Sequence, residues 1–211
     1  MSATPRRALV VIDVQNEYVT GDLPIEYPDV QTSLANIGRA MDAARAAGVP
    51  VVVVQNLAPA TSPLFARGSA GAQLHPVVAS REQDHYVEKS LPSAFAQTDL
   101  ADWLASRNVD TLTIVGYMTH NCDASTAFEA THRGLKVEFL VDATGSVPYE
   151  NDAGFASAED IHRVFGVVMH SRFAAVATTD AWLAALAAGA PLPTGNIYAS
   201  NQKARATRAA A

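Results

Sequence analysis

The fold of this chain is decided by residues 109–126, which have the sequence VDTLTIVGYMTHNCDAST. The apolar, β-branched run at 111–115 predicts a buried strand, and Gly116 ends it. Residues 121–134 predict a helix with an apolar face. Cys122, the single cysteine of the chain, therefore lies in the first turn of a helix that follows a strand. Backbone N–H groups and the helix dipole favour a thiolate at such a position.

Strand-like and helix-like segments alternate along the rest of the chain. Strands are predicted at 8–14, 50–55, 85–88, 111–115, 137–141 and 174–177, and helices at 33–47, 98–107, 121–134, 157–169 and 179–188. This alternation predicts a three-layer α/β/α fold with a doubly wound parallel sheet. Ligands of such folds bind beyond the carboxyl ends of the strands.

The length of 211 residues predicts one domain, which we place at 1–190. Residues 56–84 form a long irregular stretch, and loops of that length are usually functional. Residues 191–211 are polar and predict a C-terminal extension that is either disordered or packed on another subunit. Ile197 and Tyr198 are its apolar anchors. We therefore expect a homo-oligomer, either a dimer or a tetramer.

Composition and charge exclude several classes of function. Residues of the hydrophobic types make up 49% of the chain, which excludes disorder of the whole chain. The net charge is −6 and no basic patch is present, so we expect no nucleic-acid partner. The apolar runs are too short to span a bilayer, and the first residues lack the apolar core of a signal peptide. With a single cysteine, these features favour a cytoplasmic protein.

Three chemistry-bearing residues lie at or just past the ends of predicted strands. Asp13 stands in an otherwise apolar strand, Lys89 follows a short strand, and Cys122 follows the strand quoted above. Taken singly, each has an ordinary alternative: an ion-paired carboxylate, a solvent-exposed lysine and a buried core thiol. Together, a base, a cation and a thiol at the mouths of three parallel strands form a set that can activate a nucleophile.

The sequence around these residues resembles the isochorismatase-like cysteine hydrolase superfamily. Members of this superfamily include nicotinamidases, N-carbamoylsarcosine amidases, ureidoacrylate hydrolases and streptothricin hydrolases. The resemblance covers about residues 6–188. It is carried by a D-x-Q-N segment at 13–16, a K-x-x-x-S-A-F segment at 89–95 and a G-x-x-T-x-x-C segment at 116–122.

The resemblance implies a six-stranded parallel sheet and a catalytic triad. Cys122 is implied to be a nucleophile that forms a covalent thioester. Asp13 is implied to take its proton and later to activate water, and Lys89 to orient Asp13 and hold the thiolate. A cis peptide is implied at Tyr117-Met118, with the backbone N–H groups of Met118 and Cys122 forming an oxyanion hole.

Departures from the family pattern bear on metal and substrate. Nicotinamidases carry an Asp-x-His metal motif after the second strand, whereas residues 55–59 here are QNLAP, with only His75 and His85 nearby. We therefore expect no catalytic metal and no cofactor, which disfavours nicotinamidase. Isochorismatases that act on a vinyl ether do not need the cysteine, so Cys122 favours C–N hydrolysis. The segment GYMTH at 116–120 resembles the streptothricin-hydrolase-like branch.

The substrate-binding candidates are Asn16, Tyr18, His75, Tyr117 and His120. An ordinary surface position is the alternative for His75, and core packing is the alternative for Tyr117. The sequence thus predicts a metal-independent cysteine hydrolase that cleaves an amide or ureido C–N bond of a small molecule. The alternatives are hydrolysis of a vinyl ether, a non-catalytic binding protein on the same fold, and a redox-sensing thiol protein.

Overall fold

The protein folds around one six-stranded parallel sheet. The structure is a computed structural model and describes residues 4–209. The strands are β1 (Arg7–Ile12), β2 (Val51–Asn56), β3 (His85–Lys89), β4 (Thr111–Tyr117), β5 (Lys136–Gly145), β6 (Tyr149–Asn151), β7 (Gly154–Ala156) and β8 (Ala175–Ala177). The helices are α1 (Val30–Ala46), α2 (Pro76–Ala79), α3 (Leu100–Ser106), α4 (Ala124–His132), α5 (Ala158–Val168), α6 (Thr179–Ala187) and α7 (Ile197–Ala209). In the parallel sheet the strands lie in the order β3-β2-β1-β4-β5-β8. The predicted three-layer α/β/α fold is confirmed.

Both faces of the sheet are covered, which explains why its central strands are almost continuously apolar. On one face, Leu9 and Val11 of β1 pack against α1 and against Trp182 of α6. On the other face, Val10 and Ile12 pack in the core with side chains of α3 and α4. These four side chains are fully buried, so the strand can be neither shifted nor reversed without exposing apolar surface.

Helix starts depend on capping side chains, and one predicted cap is wrong. We expected Ser33 to cap the first long helix, but α1 begins one turn earlier. The Asp29 side chain caps it by accepting a hydrogen bond of 2.9 Å from the Thr32 N–H. Ser33 is buried inside the helix instead. The predicted start of α5 is correct, because Ser157 accepts from the Asp160 N–H at its first turn.

Two regions hold secondary structure that the sequence did not predict. The antiparallel hairpin β6–β7 follows β5, and its residues 149–155 are all exposed, so no buried face imposes an alternating pattern on its sequence. The other is α7, which lies in the predicted C-terminal extension. Its side chains at 201–208 are all exposed, so it too lacks an apolar stripe that would mark a helix.

The end of β4 touches the end of β1 through Gly116. Gly116 is paired with Ile12 and has a φ of 122°, which a residue with a side chain rarely adopts. A Cβ atom there would lie 2.0 Å from the Ile12 carbonyl oxygen. The missing side chain therefore brings the segment that follows β4 directly beside Asp13, which follows β1.

Candidate active site

Three side chains from different strand ends meet at the carboxyl edge of the sheet. Asp13 follows β1 with a φ of 51°, and Lys89 is the last residue of β3. Cys122 lies in the π-helical turn Thr119–Asp123 between β4 and α4, rather than in the first turn of the predicted helix. Strand β2 separates β3 from β1, so the long lysine side chain reaches past the end of β2 to the other two residues.

The three groups are in direct contact and almost sealed from solvent. The Lys89 Nζ atom lies 2.6 Å from Oδ2 of Asp13 and 3.2 Å from Sγ of Cys122. Asp13, Lys89 and Cys122 are 0%, 4% and 5% exposed. The contact between lysine and carboxylate is an ion pair without the alignment of a hydrogen bond, and neither oxygen of Asp13 has an aligned partner. This carboxylate therefore keeps lone pairs that can accept a proton.

Burial and mutual charges displace the pKa values of all three groups. Burial raises the pKa of Asp13, and the adjacent Lys89 charge opposes that rise. Burial works against a charged Lys89, but the negative charges of Asp13 and Cys122 outweigh it and raise the lysine pKa. Burial, followed by the charge of Asp13, raises the pKa of the Cys122 thiol. Burial and the Asp13 charge therefore act against the thiolate that the helix dipole was expected to favour, whereas the Lys89 charge supports it.

The D-x-Q-N segment also shapes the mouth of the site. The Gln15 side chain donates to the carbonyl oxygens of Asn56 and Ala72 and accepts from the Asn56 N–H. Asn16 donates from Nδ2 to the Ala70 carbonyl oxygen at 3.1 Å. These bonds attach the irregular stretch 56–84 to the end of β1. The structure thus uses the Asn16 amide to hold this loop.

The two tyrosines that we considered as substrate contacts differ in their surroundings. Tyr18 is buried, and burial and then the charges of Asp13 and Cys122 raise its pKa, which places it close to the ion pair. Tyr117 is completely buried, and its hydroxyl forms a hydrogen bond of 2.7 Å with Ser33 of α1. For Tyr117 the structure therefore favours core packing over substrate contact.

The two histidines near the second strand each have another partner. His75 accepts a hydrogen bond from the Val77 N–H and caps α2. His85 contacts Asp99 and stacks on Trp103 with a centroid distance of 4.8 Å. Across residues 4–209, no group of three or more His, Cys, Asp or Glu side chains is placed to hold a metal ion.

His120 links the turn that holds Cys122 to the chain after β5. Its Nδ1 atom is 3.1 Å from the Ser146 hydroxyl, and its Nε2 atom is 3.0 Å from the Tyr149 hydroxyl. Burial lowers the pKa of His120 to about 4, so the ring is neutral near pH 7. Sequence reasoning missed Tyr149, because it lies on a hairpin that no pattern predicted.

Asp123 is a second buried carboxyl group beside the cysteine, and sequence reasoning missed it too. It is fully buried, and neither oxygen has a hydrogen-bond partner among the described residues. Burial, together with the negative charge of Asp13, raises its pKa well above the ordinary value. An acidic residue directly after Cys122, at the start of an alanine-rich helix, was the available signal.

The backbone ahead of the cysteine is also arranged around Met118. The Tyr117–Met118 peptide bond is cis, as the resemblance implied. The Met118 carbonyl oxygen accepts from the N–H groups of Asn121 and Asp123, at 3.0 Å and 3.3 Å. These two bonds fix the turn and hold Met118 and Cys122 on the same short loop.

A buried acid, lysine and cysteine thus lie together at the carboxyl edge of a doubly wound α/β sheet. The isochorismatase domain family matches residues 7–181 of this chain. That match covers most of the chain, and the chain belongs to the isochorismatase family. It is an isochorismatase-family hydrolase.

Individual relatives agree with this assignment. A secreted isochorismatase effector of Verticillium dahliae is 33% identical over 175 residues, which span 81% of this chain and 91% of the relative. A streptothricin hydrolase of Streptomyces noursei is 34% identical over 139 residues, 66% of this chain and 54% of the relative. A crystal structure of a proposed isochorismatase from Burkholderia xenovorans LB400 is 79% identical, with a TM-score of 0.97, and covers 98% of this chain and 100% of that one.

Proposed function

We propose that the protein is a metal-independent cysteine hydrolase that cleaves an amide or ureido C–N bond through a thioester at Cys122. The observation that carries the proposal is the buried contact of Lys89 with both Asp13 and Cys122. A charged lysine is almost never buried unless it is paired. A structural ion pair would not need a thiol as its third member, whereas a nucleophile and its base do.

In the first half of the proposed reaction, Sγ of Cys122 attacks the carbonyl carbon while Asp13 takes the thiol proton. The oxygen of the tetrahedral intermediate accepts hydrogen bonds from the backbone N–H groups of Met118 and Cys122, and each such donor contributes about 3–4 kcal/mol. The C–N bond then breaks, and Asp13 returns the proton to the leaving nitrogen. The products are a free amine or ammonia and a thioester on Cys122.

In the second half, water attacks the thioester carbonyl and Asp13 takes a proton from that water. The C–S bond breaks, the product leaves as a carboxylic or carbamic acid, and the proton on Asp13 returns to Sγ. Lys89 keeps its charge throughout and holds the Asp13 carboxylate in place. The raised pKa of Asp13 suits this role, because a stronger base accepts the proton more readily.

The nature of the bond is inferred from the nucleophile. Hydrolysis of a vinyl ether needs acid catalysis and no thioester, so the buried Cys122 in contact with Lys89 favours an acyl-transfer route. The streptothricin hydrolase relative supports a hydrolase of this branch. The near-complete burial of the three groups restricts the substrate to a small molecule, or to a small group at the end of a larger one.

The experiment that tests this proposal is an activity screen of the purified protein against primary amides, ureido acids, lactams and isochorismate. Turnover of an amide or ureido compound by the wild type, and its loss in Cys122→Ala, would support the proposal. Mass spectrometry of the acid-quenched reaction should detect the acyl group on Cys122. Turnover of isochorismate alone, with Cys122→Ala still active, would favour vinyl-ether hydrolysis. Specific binding without turnover would favour a non-catalytic protein.

Metal independence needs a separate measurement. We expect full activity after exhaustive dialysis against a chelator, and no stoichiometric zinc or iron in the purified protein. The variants His75→Ala and His85→Ala serve as controls, because these are the histidines nearest the position of the nicotinamidase metal motif. If chelation abolishes the activity and added zinc restores it, this part of the proposal is wrong, and nicotinamidase activity becomes a candidate again.

We also propose that the protein is a cytoplasmic homo-oligomer. No helix of the described residues is long and apolar enough to cross a membrane. Apolar side chains are exposed on α5 and at the start of α7, among them Val167 at 64% and Tyr198 at 76%. A second copy that covers these side chains would remove apolar surface from water. Light scattering should show a dimer or larger species, and truncation after Pro191 should reduce its mass.

A further inference from the structure

The β6–β7 hairpin leaves the sheet at the same edge as Cys122. Gly145, the last residue of β5, is paired with Tyr117, the last residue of β4. One strand continues into the turn that holds Cys122, and the other continues into the hairpin. The hairpin therefore starts beside the nucleophile and not at a distant point of the molecule.

The base of the hairpin is fixed, but its arm is attached at one point. Ser146 and Tyr27 exchange backbone hydrogen bonds of 2.8 Å and 3.3 Å, which anchor the base. Residues 149–155 above it are all exposed. Among the described residues, the one side-chain hydrogen bond from this arm to the rest of the protein joins the Tyr149 hydroxyl to Nε2 of His120. Breaking that bond would leave the arm held only at its base.

Tyr149 stands next to the almost closed mouth of the site. Its ring meets the His120 ring edge-on, with a centroid distance of 5.1 Å, and His120 precedes Cys122 by two residues. Burial raises the pKa of Tyr149, and a negative charge on Cys122 would raise it further. The hydroxyl therefore lies within electrostatic reach of Sγ, while Cys122 itself is only 5% exposed.

We propose that the β6–β7 hairpin is a flap over Cys122, and that Tyr149 contacts the substrate and helps to select small uncharged amides or ureides. This inference rests on the proposed function, because it concerns the molecule that reacts with Cys122. His120 holds the Tyr149 hydroxyl. An entering carboxamide or ureido group offers both a donor and an acceptor, so it can exchange with either member of that pair.

The charges around the flap favour an uncharged substrate. Glu150 and Asp152 are exposed on the hairpin, and neither forms an ion pair within residues 4–209. His120 faces the flap as a neutral ring, and the neighbouring Ser146 carries no charge. An anionic substrate approaching along the flap therefore meets acidic groups and no cation on it, whereas a neutral amide is not repelled.

The test measures the rate at which Cys122 is alkylated, which needs no knowledge of the natural substrate. The probes are iodoacetamide, which is small and neutral, iodoacetate, which is small and anionic, and the bulkier N-ethylmaleimide. The variants are Tyr149→Phe, Tyr149→Ala and the double variant Glu150→Gln/Asp152→Asn. The matched control is Tyr86→Phe, because Tyr86 is 40% exposed and its hydroxyl also forms one hydrogen bond, to Gln55.

We expect the hydrogen bond between Tyr149 and His120 to slow the alkylation of Cys122 by all three probes in the wild type. Tyr149→Phe removes one hydrogen bond, which corresponds to about a fivefold faster alkylation. Tyr149→Ala also removes the ring and should accelerate N-ethylmaleimide more than iodoacetamide. The Glu150→Gln/Asp152→Asn variant should increase the rate with iodoacetate relative to iodoacetamide, and Tyr86→Phe should match the wild type. Unchanged circular dichroism and Tm would show that the variants are folded.

Equal alkylation rates of Cys122 in the wild type and Tyr149→Ala would overturn the flap. An unchanged ratio of iodoacetate to iodoacetamide in the double variant would overturn the charge selection. These outcomes differ from a failure of the proposed function. If Tyr149→Ala accelerates alkylation but Cys122→Ala keeps its activity, the result supports the flap and contradicts the covalent mechanism. If Cys122→Ala is inactive but Tyr149→Ala is alkylated at the wild-type rate, the result supports the covalent mechanism and contradicts the flap.

Discussion

Strand β1 has a buried ion pair at each end, and the two pairs differ in how completely they are bonded. At the amino end, Arg7 meets Glu138, with side-chain exposures of 2% and 4%. The Glu138 carboxylate accepts two hydrogen bonds from Arg7, one from Thr113 and one from Trp182. At the carboxyl end, the Asp13 carboxylate touches Lys89 but has no aligned hydrogen bond.

The difference separates a structural charge from a reactive one. Four donated hydrogen bonds stabilise the charged form of the Glu138 carboxylate, and this pair fixes β1, β4, β5 and α6 to one another. The Asp13 oxygens are desolvated without being saturated, a state that costs stability and is found mainly where a proton must move. The ion pair at the amino end of β1 is therefore structural, and the ion pair at its carboxyl end belongs to the proposed catalytic site.

Cys122→Ala should produce the largest effect on activity and almost none on the fold. Removal of a covalent nucleophile costs about a thousandfold or more in kcat, because no other group forms the thioester. The thiol is a small part of the core, so the Tm should change little. The measurements are kcat with the substrate from the screen and thermal unfolding by circular dichroism. Ser125→Ala, in the helix α4 that follows the turn holding Cys122, is the control and should keep its activity.

Lys89→Met tests the active end of β1. Without its cation, the buried Asp13 carboxyl has a still higher pKa, takes up a proton and can no longer accept one from the thiol. We expect kcat to fall by about a hundredfold to ten-thousandfold, as for loss of a general base. The alkylation rate of Cys122 measured against pH should also shift to higher pH. A Lys89→Met variant with normal kcat would show that this pair is structural, like the other one.

Arg7→Met is the matched change at the structural end. Glu138 would then be a buried carboxylate without its cation, and removal of one partner of a buried pair costs about 3–5 kcal/mol of the free energy of unfolding. Urea denaturation measures that cost. Because Arg7 lies at the opposite end of the sheet from Cys122, kcat per folded molecule should stay at the wild-type value. A large fall in kcat with an unchanged unfolding midpoint would contradict a purely structural role for the Arg7–Glu138 pair.

The active end of β1 was visible in the sequence, and the structural end was not. Asp13, Lys89 and Cys122 follow strands, and in a parallel sheet those ends converge, so local patterns were enough to bring them together. Glu138 and Arg7 lie 131 residues apart within strands. Nothing local to either residue indicates the other, because their pairing depends on the order of the strands in the sheet.

The parts of the site that sequence reasoning missed have a common physical origin. Tyr149 lies on an exposed hairpin, where neither burial nor periodicity constrains the residue types. Ser33 was predicted to be an N-cap because its hydroxyl can accept a hydrogen bond from a backbone N–H. In the structure this hydroxyl is buried and forms a hydrogen bond with the Tyr117 hydroxyl instead. The raised pKa of Cys122 depends on burial, which the position of the residue in a turn does not reveal.

Asp123 is a third buried carboxyl group, and it differs from both carboxylates at the ends of β1. Within residues 4–209 it has neither the hydrogen bonds that Glu138 accepts nor the ion pair that Asp13 forms with Lys89. No step of the proposed reaction uses it. A buried polar group without a partner costs about 1–3 kcal/mol. Its raised pKa means that the folded protein holds a proton there that the unfolded chain releases above its ordinary value of 3.8. Stability from this group is therefore fully present below that value and is lost as the pH rises toward the folded-state pKa.

Asp123→Asn should remove this pH dependence, since the amide does not titrate and has nearly the same shape. At pH 8 the variant should be more stable than the wild type by about 1–3 kcal/mol, and the gain should shrink toward pH 5. Urea denaturation at both pH values measures the difference, with the exposed Asp152→Asn as the control, whose stability should follow the wild type. A gain of the same size at both pH values would show that Asp123 carries no bound proton in the folded protein. It would then belong with the charged groups of the site, beside Asp13.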